Sequence, residues 1–118
     1  MNGLAQRQQA RCGEFTLSWR EAGHGRPVVL LHGISSGSAS WIKQFNDSGL
    51  ADGHRLLAWD APGYGGSLPL TVSEPDAAAY AAALAALVAH LQLEQPLIVG
   101  HSLGALIGSA YAAGYPDG

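Results

Sequence analysis

Charged side chains are scarce in this sequence, 13% of 118 residues against 47% hydrophobic. That balance excludes an intrinsically disordered chain and calls for a buried core. The few cations (Arg7, Arg11, Arg20, Arg26, Lys43 and Arg55) are scattered and the formal charge is −3. No basic footprint is left for nucleic acid or for an anionic membrane surface. Cysteine occurs once, at Cys12, which rules out an intrachain disulfide or a multi-cysteine metal site and fits a reducing, cytoplasmic setting. No run approaches the length of a membrane span, and residues 1–9 have no hydrophobic region behind their charge, so neither a span nor a leader is expected. A Gly-Lys-Ser/Thr nucleotide loop is lacking too. The five histidines, at 24, 32, 54, 90 and 101, form no His-x-x-x-His or His-Glu pair. Neither a metal nor another cofactor is therefore expected.

What is present is an alternation of apolar runs. Residues 15–21 (FTLSWRE) alternate apolar and polar, as a strand with one wet face does. PVVLL at 27–31, LLAW at 56–59 and PLIV at 96–99 are continuous, as strands covered on both faces are. Between them, residues 40–48 read as a short helix with Trp41, Ile42 and Phe45 on one side. Residues 77–91 read as a longer one, with Tyr80, Leu84, Leu87, Val88 and Leu91 in a single stripe and alanines elsewhere. Ser73-Glu74-Pro75-Asp76 supplies a cap candidate, an early proline and acidic groups for its start. His90 lies late in that helix, where the C-terminal dipole or solvent is its natural partner. Residues 103–113 read as the last helix, ending near Gly114. Buried strands alternating with helices predict an α/β fold, a mostly parallel sheet with flanking helices. The chain reads as one domain over residues 1–118, with about residues 1–14 poorly structured.

In such sheets chemistry gathers beyond the carboxyl ends of the strands. Three strand ends stand out: His32-Gly33-Ile34-Ser35-Ser36-Gly37-Ser38, Asp60-Ala61-Pro62-Gly63-Tyr64-Gly65-Gly66-Ser67 and Gly100-His101-Ser102-Leu103-Gly104. The second lacks the G-x-G-x-x-G register of a dinucleotide loop. The third is G-x-S-x-G, following a predicted strand and opening a predicted helix, as a nucleophile elbow must. A sharp strand-to-helix turn forces Ser102 into strained dihedrals, and glycines two before and two after it remove side chains that would collide. The hydroxyl then stands above the sheet at the positive end of a helix. The backbone N–H of Leu103 is one candidate oxyanion donor, and that of Ile34, or alternatively Ser35, is the second. The plain alternative is that glycines and serines merely make turns and caps.

The residues Leu30-Leu31-His32-Gly33, Trp59-Asp60-Ala61-Pro62-Gly63-Tyr64-Gly65-Gly66-Ser67 and Val99-Gly100-His101-Ser102-Leu103-Gly104 closely resemble the α/β-hydrolase fold superfamily. In order and separation they are similar to its small esterases, enol-lactonases and C–C bond hydrolases. The resemblance runs from about residue 15 onward and implies the N-terminal part of an α/β-hydrolase fold. It implies Ser102 as nucleophile, Leu103 and Ile34 as oxyanion-hole residues, and residues 60–67 as a structural loop beside the site. Aspartate-nucleophile members, such as haloalkane dehalogenases and epoxide hydrolases, are disfavoured because position 102 is Ser.

In that family the acid and the histidine follow the serine. Here sixteen residues follow Ser102, with Asp117 among them but no histidine. His101 precedes the nucleophile and should project to the other side of the turn, and His32 belongs to the neighbouring loop. The expectation is the N-terminal portion of a serine hydrolase of ester, lactone or related carbonyl bonds in a small acyl substrate. Its chain ends after the elbow helix, and its acid and base are absent from these residues. The alternative is a non-catalytic half-fold that pairs with a partner chain. Either way, the strand at 97–99 is expected to leave an apolar edge open to self-association.

Overall fold

The computed structural model describes residues 6–34, 37–41, 52–71 and 75–115. In chain order these form β1 (Arg7–Cys12), β2 (Phe15–Ala22), β3 (Arg26–Leu31), a single 3-10 turn at Ser38–Trp41, β4 (His54–Asp60), α1 (Ala77–His90), β5 (Leu97–Gly100) and α2 (Leu103–Gly114). The sheet order is β1-β2-β4-β3-β5. β3 pairs in parallel with β4 and β5, whereas β2 is antiparallel to both β1 and β4. The sheet is therefore mostly but not wholly parallel, with β2 running against the other described strands.

Strand alternation sorts the apolar side chains onto two faces. Leu17, Trp19, Val29, Leu31, Leu57 and Trp59 join the main core beneath the helices. Val28, Leu30, Leu56 and Ala58 form a second cluster on the opposite face, against Ala22 and Trp41. The continuous apolar runs of β3 and β4 are thus buried on both sides. From α1, Ala81, Ala83, Leu84, Leu87 and Val88 are buried, with Tyr80 and Leu91 half-buried at the margins of the same stripe. The Asp76 carboxylate caps the helix by accepting from the Ala79 N–H at 2.9 Å, so Pro75 precedes the cap. Ser73 and Glu74 lie outside the described residues. His90 is exposed in the last turn, its ring edge-on to Trp19 at 6.1 Å.

Three expectations change. The run at 96–99, expected to be covered on both faces, forms β5 with Leu97, Val99 and Gly100 exposed. Residues 1–14 were expected to be poorly structured, yet Arg7–Cys12 is a strand in register with β2 from Arg7↔Arg20 to Cys12↔Phe15. Its apolar signal is faint because only Cys12 is fully buried and the edge is lined by arginine and glutamine. The turn that makes the hairpin is set by Gly13, at φ +60. The helix expected over residues 40–48 begins as the 3-10 turn Ser38–Trp41, and the rest of it, with Ile42 and Phe45, lies outside the described residues. Among the described residues no helix is long and apolar enough to cross a membrane.

The buried stripe of α1 is the largest helical contribution to the core, so truncating it should register directly. Leu84→Ala or Leu87→Ala should cost about 2–5 kcal/mol in urea unfolding, whereas Ala89→Ser on the exposed side should change little.

Candidate active site

β3 and β5 are parallel neighbours with Leu31 opposite Gly100, so their carboxyl ends emerge side by side. The His101 N–H donates to the Leu31 carbonyl at 3.1 Å, carrying the pairing one residue past the end of β5. There the chain turns into α2. Ser102 has φ 57 and ψ −116, a conformation that costs a non-glycine residue on the order of 1–3 kcal/mol. It occupies the N-cap position of α2, yet its side chain makes no cap hydrogen bond. The hydroxyl is exposed and free of structural duty, which is not the behaviour of a simple helix cap.

The flanking glycines are required by space. A Cβ on Gly100 would strike the Gly104 carbonyl, and a Cβ on Gly104 would strike the Leu31 carbonyl. α2 therefore leaves the elbow with its first turn in backbone contact with β3. A Cβ on Gly33 would lie 2.9 Å from His101 Nδ1 and 3.2 Å from Ser102 Cβ. The loop after β3 and the elbow thus touch, with Gly33 against His101 and Ser102. As the first residue of α2, Leu103 has no intrahelical acceptor for its N–H. Ile34, the residue after Gly33, presents an exposed side chain. Ser35 and Asp117 lie outside the described residues.

His32 is buried, and both of its ring nitrogens are engaged. Nε2 accepts from the Ala61 N–H at 3.0 Å, and Nδ1 lies 2.8 Å from the Gly33 carbonyl. That pattern assigns the proton to Nδ1. The ring also packs on Tyr64, centroids 4.8 Å apart. His32 ties the ends of β3 and β4 together and leaves no nitrogen for Ser102.

The strand end at Asp60 was expected to be structural, but the polar network that its carboxylate gathers escaped the sequence reading. Asp60, at the end of β4, is fully buried. It accepts from the Ser18 hydroxyl at 2.6 Å and the Ser38 N–H at 2.8 Å, and pairs with Arg7 Nε at 3.1 Å. A Cβ on Gly65 (φ +51) would collide with that carboxylate. Burial by itself pushes the Asp60 carboxyl up, but the Ser18 and Ser38 hydrogen bonds and the Arg7 guanidinium together hold it below the usual carboxylate range. The one available signal was an aspartate ending an otherwise apolar strand. Arg7 had no signal at all, since it sits in the segment expected to lack structure. Cys12 is buried, and burial pushes its thiol up, as in an unreactive structural cysteine.

A family model described as alpha/beta hydrolase fold matches residues 26–118. The chain belongs to this family. Among its relatives, the 2-hydroxy-6-oxo-6-phenylhexa-2,4-dienoate hydrolase of Comamonas testosteroni is 29% identical over 106 residues, covering 88% of this chain and 37% of the relative. The crystal structure of E-2-(acetamidomethylene)succinate hydrolase superposes with a TM-score of 0.84 at 34% identity, over 95% of this chain and 41% of that one. An epoxide hydrolase of Vigna radiata superposes with a TM-score of 0.85 at 25% identity, over 95% and 36%. This α/β-hydrolase chain therefore spans about two-fifths or less of the length of these three.

The Asp60 centre has a pH signature. A carboxyl held low in the fold stabilises above its unfolded value, about 4, and that stability is lost as pH falls through the folded value. The urea-unfolding gap between wild type and Asp60→Asn should be full at pH 7 and shrink below about pH 4. A gap independent of pH would mean that the charge on Asp60 contributes nothing.

Proposed function

We propose that Ser102 is the nucleophile of a serine hydrolase acting on an ester, lactone or related carbonyl bond of a small acyl substrate. The Leu103 and Ile34 N–H groups are the oxyanion donors. The single observation that carries this reading is the strained, uncapped, exposed Ser102 at the junction of β5 and α2. Its support from the relatives is chemical. The substrate named for the Comamonas testosteroni relative carries a 6-oxo group, a carbonyl that a hydroxyl can attack. Attack by Ser102 Oγ on such a carbonyl gives a tetrahedral oxyanion, whose collapse expels the leaving group and leaves an acyl-enzyme for water to resolve. A cytoplasmic setting keeps the single thiol reduced.

Among the described residues no base is seen bonded to the Ser102 hydroxyl. No histidine follows Ser102, and both nitrogens of His32 are engaged. Loss of the base in a serine hydrolase costs about 10⁶-fold in turnover, or about 8 kcal/mol of barrier. This favours the second reading for the chain by itself: a non-catalytic half-fold that acquires its acid and base from other polypeptide.

A fluorophosphonate probe followed by intact-mass spectrometry separates these readings. The purified chain should be phosphonylated slowly at Ser102 with loss of fluoride, faster when imidazole is added as an external base, and not at all in Ser102→Ala. Labelling that persists in Ser102→Ala rejects the nucleophile. Fast turnover of p-nitrophenyl acetate without imidazole, abolished by Ser102→Ala, rejects the half-fold.

A further inference from the structure

Among the described residues, the large apolar side chains left exposed fall in three places. Leu97, Val99, Leu106 and Tyr115 lie on or beside β5 and α2, and Ile34 follows β3. Leu68, 59% exposed, stands apart from them. Its N–H donates to the Thr16 carbonyl of β2 at 3.0 Å, which places it at the β1–β2 end of the sheet. There it walls a cavity of about 420 Å³ between the β1–β2 hairpin, residues 68–71 and the first turns of α1. Phe15, Leu70, Ala79 and Ala82 supply the rest of its apolar lining. Every lining residue is a described one, and β5 is at the opposite end of the sheet. The walls are therefore complete without any polypeptide added beside β5. Small-molecule sites occupy about 300–1,000 Å³, so this volume suits a ligand at the small end of that range.

Two opposite charges stand at the mouth. Arg11 Nε donates to the Gly13 carbonyl at 2.9 Å, which holds the guanidinium against the hairpin turn and leaves its two terminal nitrogens free to donate. Glu14, the next residue of that turn, lines the same cavity. Among the described residues neither is in an ion pair; those present join Arg7 to Asp60 and Arg55 to Glu21. We propose that the cavity binds a free apolar amino acid of the size of leucine or phenylalanine. Its carboxylate sits on Arg11, its ammonium on Glu14, and its side chain on Phe15, Leu70 and the alanines of α1. Charge selects this class. A lone carboxylate would meet Glu14, with the Asp76 carboxylate close by on the Ala79 N–H, and a lone amine would meet Arg11. A zwitterion answers both charges at once. Space agrees, because Ala79 and Ala82 are three residues apart on one helix face and carry nothing beyond Cβ.

This site does not rest on the hydrolase reading, since no lining residue belongs to the elbow or to the loop after β3. In an amide NMR titration, phenylalanine should move the resonances of Phe15, Leu70 and Ala82 to saturation and leave Ser102 unmoved. N-acetylphenylalanine, which lacks the ammonium, and phenylalaninamide, which lacks the carboxylate, should each bind about threefold or more weaker. Arg11→Gln should erase the advantage over the amide, and Glu14→Gln the advantage over the N-acetyl compound. Ala82→Leu fills the cavity with another good helix former and should abolish binding with unchanged far-UV circular dichroism. The proposal is overturned by a titration that does not saturate by about 10 mM phenylalanine, by shifts centred on the elbow, or by equal binding of the three compounds. Selectivity that survives both glutamine variants overturns it as well, as does binding that survives Ala82→Leu.

Discussion

Backbone contact between α2 and β3 is the constraint on which the upper end of this molecule depends. Gly104 lies so close to the Leu31 carbonyl, and Gly100 to the Gly104 carbonyl, that neither position has room for one more carbon. With no side chain as spacer, α2 is brought directly onto the sheet. The turn before it must then be completed in one residue, and that residue is Ser102. Its strained dihedrals follow from the close approach, and so does its exposure. The same approach seats Gly33 against the elbow, so the loop after β3 is placed by contacts that originate in two glycines of another element.

Buried polar bonds fix that loop at its other end. The Asp60 carboxylate holds the Ser38 N–H, while His32 holds the Ala61 N–H. The loop carrying Ile34 is thereby tied to the end of β4 on both sides of Ile34. Asp60 also reaches back to Ser18 of β2 and Arg7 of β1. A hairpin distant in sequence is thus linked to the segment that follows β3. Breaking one partner of such a buried charge leaves the others unsatisfied and costs more than the lost bond alone.

These two constraints differ in how far they can be read from sequence. β2 to β5, α1 and α2 were legible because burial on a strand or helix face imposes a local period, and their bounds fall within two residues of those expected. The elbow was legible because its steric demands act on five consecutive residues, 100 to 104. β1 was not, since an edge strand needs a partner more than an apolar pattern and Arg7–Cys12 has only Ala10 and Cys12 to show. The Asp60 centre was not either. Its members, Arg7, Ser18, Ser38 and Asp60, are separated by up to 53 residues, and their types are those of any loop. What unites them is a buried carboxylate, and burial of a single polar residue leaves no period.

The same distinction bears on the proposed site, in which Ser102 would be the nucleophile and the Leu103 and Ile34 N–H groups the donors. Ser102, the Leu103 N–H and the strain that exposes the hydroxyl all arise from one local turn. The Ile34 loop comes from the adjoining parallel strand. A general base must instead approach the hydroxyl from outside that turn, because hydrogen-bond geometry requires a nitrogen lone pair pointing back at Oγ. His101 precedes the strained residue, and its ring lies over Gly33. His32 holds the floor of the site with both nitrogens. Releasing either nitrogen would break a bond within the loop after β3 or its tie to the end of β4, so His32 could not act as a base without loosening the segment that leads to Ile34. Among the described residues, His32 is thus committed to holding the surroundings of Ser102 in place.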